Sequence, residues 1–156
     1  MRKSRVSIRF RVIVFTLTAL MILFAFFHSS MPADLSGDES ESVMGILQGI
    51  LDFLGFNSQL SDHIVRKAAH FSEYTVIGML LLSCAYSLCR TRPHKYYLQI
   101  LFVGLATAVC DETIQLFVEG RSGQITDVLL DFSGVLTGTV LMMVYLVIYR
   151  KLRKIS

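Results

Sequence analysis

Cysteine is scarce in this chain: three residues, Cys84, Cys89 and Cys110, in a length of 156. The number is odd and all three lie within or beside apolar runs, so no disulfide framework can be read and no zinc spacing is present. The sequence reading is that they are small buried packing residues. Familiar catalytic signatures are missing as well. There is no H-E-x-x-H, no serine elbow and no phosphate loop, and no internal repeat is visible. Acid is absent from three segments: the leader 1–11, the stretch 89–95 and the tail 150–154.

Apolar side chains, in contrast, make up 53% of the chain, with a mean hydropathy of +0.57. Soluble domains use about 45–50% even when glycine is counted, so the composition points to a small membrane protein. The first apolar run, Val12 to Phe27, follows a leader carrying Arg2, Lys3, Arg5, Arg9 and Arg11. A basic head and apolar core also describe a signal peptide. The core is long for one, and Met31-Pro32-Ala33 is a poor cleavage site, which favours a retained transmembrane helix over about 11–28. A polar, acidic linker follows. The segment 43–56 has helical apolar spacing but is too short to span, since spanning takes about 20 residues. It reads as a short extracytoplasmic helix lying at the interface. Further spans are expected at about 62–88, where Ser61 or Asp62 could cap the helix, at 96–118 after a turn stopped by Pro93, and at 125–149. The last span contains Gly134-Val135-Leu136-Thr137-Gly138, a G-x-x-x-G pattern that permits close backbone approach. The fold class is therefore all-α: a polytopic integral membrane protein built as a four-helix transmembrane bundle in a single domain, 1–156.

Charge sets the expected orientation. The leader, the 89–95 turn and the tail hold twelve of the fifteen Lys and Arg residues, and all twelve Asp and Glu residues fall in the other half. The positive-inside rule then puts both termini in the cytoplasm. His28 and His94 read as boundary residues, and His63 could join a site without anything compelling it.

The polar groups of the apolar spans are the candidate site. Arg66, His70 and Tyr74 share one helix stripe, with Glu73 one step round it. Asp111 and Gln115 are four residues apart, as are Asp127 and Asp131, so each pair shares a face. At about 1.5 Å per residue, three spans bring these groups within roughly 15 Å of the outer boundary. One reading is an interhelical salt-bridge network that fixes register. For the whole set a water-accessible pocket fits better, because a central Asp costs about 2.5–3.5 kcal/mol and interhelical polar bonds return only about 0.6 kcal/mol on average. His70 with Glu73, Asp111 or Glu112 could perform acid–base catalysis. Arg66, Lys67 and Arg121 could grip a phosphate or carboxylate. Acids with His70 could hold a divalent cation, but no spacing is diagnostic, so neither a metal nor another cofactor is expected. A transporter is disfavoured, because the cytoplasmic halves of the spans hold no ionisable residue.

Three blocks, Arg66-Lys67-x-x-His70-Phe71-x-Glu73-Tyr74, Asp111-Glu112-x-x-Gln115-x-Phe117-x-x-x-Arg121-Ser122-Gly123 and Asp127-x-x-x-Asp131-x-x-Gly134, resemble the VanZ-like family. The likeness runs over about residues 10–150. It implies a multi-pass protein of the bacterial cell membrane. It also implies that Arg66, Lys67, His70, Glu73, Tyr74, Asp111, Glu112, Gln115, Arg121, Asp127 and Asp131 matter. The founding member is an accessory protein of glycopeptide-resistance clusters, associated with raised resistance to teicoplanin. The resemblance brings no established reaction. Two expectations follow. The first is a cell-envelope protein whose outward polar pocket binds a lipid-anchored or amphipathic ligand, with lowered susceptibility to teicoplanin-like antibiotics. The second is a membrane-embedded hydrolase or transferase acting on a cell-wall or lipid-linked substrate. Membrane lipids are the expected partners, with a lipid-linked or glycopeptide ligand and no nucleic acid.

Overall fold

The computed structural model describes residues 6–32 and 61–155, with the side chains of Asp62, Lys154 and Ile155 excepted. The interfacial segment expected at 43–56 lies outside the described residues. Among the described residues four α-helices are present: α1 (Ile8–Ser29), α2 (Asp62–Leu88), α3 (Tyr97–Gln115) and α4 (Ile125–Ile155). Each is long and apolar enough to cross a membrane, and the described residues contain no strand. The protein is thus an all-α, four-helix membrane bundle.

Local chemistry accounts for the helix ends. Ser61 takes the N-cap position of α2 in extended geometry (φ −92°, ψ 145°) but makes no side-chain capping bond. Pro93 begins a 3-10 turn, Pro93–Tyr96, that leads into α3; its missing N–H costs nothing at a first turn. The last turn of α3 runs out at Gln115, earlier than the 118 expected. Gly120 then reverses the chain with φ 74°, a left-handed conformation that only glycine adopts readily. Asp127 sits in the first turn of α4, where the helix dipole favours an acid. The helix continues through the basic tail to Ile155, past the 149 expected from hydropathy, because Arg and Lys are good helix formers and no breaker intervenes.

The helix α2 is the hub, packed most extensively against α4 and also against α1 and α3. Glycine explains the tight α2–α4 crossing. A Cβ on Gly134 would lie 2.7 Å from the Phe71 carbonyl oxygen and 3.0 Å from Tyr74 Cβ, and one on Gly138 would collide with the Thr75 carbonyl. The G-x-x-x-G spacing therefore brings two backbones together, as its small residues permit. Tyr74, Ile77, Ala25, Ala108 and Val135 form one buried cluster, and Leu82, Ala85, Ile100 and Leu146 a second. Large apolar side chains such as Leu23, Val76, Phe102 and Leu141 face outwards from all four helices, the surface a bilayer would cover.

Charge segregates to the two ends. At one, Arg11 Nη2 donates to the Ser87 carbonyl at 3.1 Å, Arg150 donates to the Arg90 carbonyl, and the Arg150 guanidinium lies over the Tyr86 ring. The opposite end holds the acids. Cys84 is buried with its sulfur 3.2 Å from Thr18 Oγ1, as a packing residue should be, whereas Cys110 is exposed and Cys89 half-buried.

Candidate functional site

The acidic end gathers side chains from all four helices. The last turn of α1 brings His28 and Ser29. His28 Nδ1 lies 3.0 Å from Glu73 Oε1 on α2, and its ring stacks on that of His70 with centroids 5.7 Å apart and planes at 14°. Ser29 is fully buried and donates its hydroxyl to Asp111 Oδ2 on α3 at 2.8 Å. The α1 contribution is the part sequence reasoning missed. A His-Ser pair ending an apolar helix at the depth of the acids is the available signal, although His28 by itself reads as a boundary residue.

His70 is the centre of the cluster. Its Nδ1 lies 3.7 Å from Asp111 Oδ2 and 4.0 Å from Asp131 Oδ1. Asp111 has 0% and Asp131 1% of its surface exposed. Behind them Tyr74, also fully buried, has its hydroxyl 3.4 Å from the Thr107 carbonyl and close to Asp111. Geometry gives the remaining candidates other surroundings. Glu73 faces His28. Glu112 accepts from the Gln124 backbone N–H through Oε2 at 3.0 Å and from Gln115 Nε2 through Oε1 at 3.2 Å. It therefore ties the 116–124 loop to α3. Gln115 also reaches Ser29 Oγ at 3.3 Å.

A cavity of about 130 Å³ opens beside this cluster, lined by Arg66, Lys67, His70, Glu112, Gln115, Arg121, Asp127 and Asp131 among others. His63 lines it too. Asp131 is the most buried of the lining residues. Lys67 pairs with Asp127, Nζ to Oδ1 at 2.7 Å, linking α2 to α4. Arg121, in the loop before α4, donates from Nε to the Met31 carbonyl at 3.2 Å. Burial and the neighbouring Arg66 push its pKa below the ordinary arginine value. Among the described residues its Nη2 is buried without an acceptor.

Four apolar helices with a buried imidazole–carboxylate cluster beside a cation-lined cavity define a multi-pass membrane protein with a built polar site. A family model described as VanZ/LLP1 matches residues 13–148. That is most of the chain, and the protein belongs to this family. No curated protein and no solved structure matches it.

Proposed function

We propose that the protein is a membrane-embedded hydrolase or transferase whose substrate is a lipid-linked or cell-wall compound bearing an anionic group. The observation that carries this reading is the position of His70 between Asp111 and Asp131, at a cavity that Arg66, Lys67 and Arg121 also line. Size supports it. At about 130 Å³ the cavity is well below the about 300–1,000 Å³ of drug-sized pockets. It suits one phosphate or carboxylate of a larger molecule whose apolar part stays along the lipid-facing helices. Arg121 supplies a guanidinium fork for such a group. The cluster then takes the proton of the attacking water or hydroxyl and returns it to the leaving group. The segregation of charge supports placing the cavity at the outer leaflet with both termini inside.

The test uses the full chain in nanodiscs with a radiolabelled lipid-linked cell-wall precursor, scored for water-soluble label. His70→Ala should slow release by about 10²–10⁴-fold, the usual contribution of a positioned acid–base group, with helix content and membrane abundance unchanged. Wild-type rates in that variant would overturn the proposal. A second reading, binding alone with lowered teicoplanin susceptibility, is favoured by the unmatched Arg121 Nη2. Equal teicoplanin susceptibility of a host with and without the well-expressed chain would remove it.

A further inference from the structure

Asp131 accepts no hydrogen bond through either carboxylate oxygen from any described residue. The same is true of Asp111 Oδ1 and of His70 Nδ1, and all four atoms are buried. Two carboxylates almost wholly removed from solvent face each other and one imidazole, and among the described residues no Lys or Arg is in ion-pair contact with either. Of the cations nearby, Lys67 holds Asp127 and Arg121 donates its Nε to the Met31 carbonyl. Buried carboxylates without partners are costly enough that proteins pair them or give them to a metal.

One donor atom from each of His70, Asp111 and Asp131 lies within 4.8 Å of the other two. Ligand atoms about 2.1 Å from a tetrahedral ion sit roughly 3.4 Å apart, so the observed 3.7 and 4.0 Å separations would close by about 0.3 and 0.6 Å on binding. The surroundings have the supporting shell that metal ligands require. Ser29 donates to Asp111 Oδ2, the oxygen that lies 3.7 Å from His70 Nδ1, and so orients that carboxylate, while His28 stacks on the His70 ring. Three protein ligands beside a cavity leave a coordination position for water or substrate.

We infer that His70, Asp111 and Asp131 form a site for one first-row divalent cation, with Zn²⁺ and Mn²⁺ best matched to a mixed imidazole–carboxylate set. The inference rests on reading this cluster as the reacting end of the site and deepens it. With an ion bound, the three side chains would hold it instead of carrying the proton themselves, and the ion would supply the activation of water, a role bound divalent metals perform at neutral pH.

The test is metal content. The full chain is purified in detergent, stripped with EDTA, incubated with Zn²⁺ or Mn²⁺, gel-filtered and analysed by elemental mass spectrometry, with Mn²⁺ also followed by electron paramagnetic resonance. About one ion per chain is expected in the wild type. At least a tenfold loss of occupancy is expected in Asp131→Asn, provided circular dichroism shows its helices intact. Should that variant not fold, ion-dependent stabilisation of the wild type against heat, reversed by EDTA, reads out the same site. Absence of a retained ion in the wild type, or wild-type occupancy in folded Asp131→Asn, would overturn the inference. Full turnover of the EDTA-stripped protein would also overturn it while leaving the proposed reaction standing. An ion held in this site without turnover would support it and count against the reaction instead.

Discussion

At the scale of single residues, the charges in these apolar helices have distinct tasks. Glu112 is the clearest case. Beside His70 in the family-like blocks it reads as a proton carrier, but both of its oxygens are occupied, by the Gln124 N–H and the Gln115 amide. Glu112→Ala should lower stability by about 1–3 kcal/mol, the usual cost of stranding buried polar partners. Glu112→Gln keeps one acceptor oxygen and should lose much less, and thermal unfolding of the two variants in detergent checks this. Ser29→Ala should cost a similar amount, since Asp111 Oδ2 and Gln115 Nε2 both use the hydroxyl. Asp111 and Asp131 differ from Glu112 because they retain oxygens that no described residue satisfies.

At the scale of elements, the α2–α4 crossing positions the site. Gly134 and Gly138 let α4 lie on the backbone of α2, which brings Asp131 level with His70 and Asp127 level with Lys67. Gly138→Leu would force the helices apart. Overpacking of this kind costs about 1–3 kcal/mol or more, and the variant should show a lowered unfolding temperature in detergent. Gly134→Leu should do the same and also lengthen the Lys67–Asp127 pairing. A close backbone approach at α4 was legible in the sequence because small residues four apart are a local pattern, whereas its partner α2 was not. Nor was the role of α1. Nothing local to His28 and Ser29 reveals that their partners, Glu73 and Asp111, lie 45 and 82 residues away. The spans themselves were legible from hydropathy, while their ends shifted where hydropathy stops being the deciding force. One case is α4, which runs on through Arg150 and Lys151 as a solvated helix.

At the scale of the whole molecule, one asymmetry organises everything. Cations crowd one end of the bundle, and buried acids, an imidazole and the cavity occupy the other. The sequence disclosed this because charge is expensive in lipid and each span carries its polar residues towards one side. It did not disclose which acid meets which base, since register and rotation of the helices decide that and both come from packing. We propose that the acidic end forms a single water-filled hollow reached from outside the cell. The most direct measurement is thiol accessibility in intact cells. In a chain with Cys84, Cys89 and Cys110 replaced, His70→Cys is treated with a small, membrane-impermeant methanethiosulfonate. Rapid modification from outside is the expected result. Modification only after the membrane is permeabilised, or none in a folded and abundant protein, would contradict it.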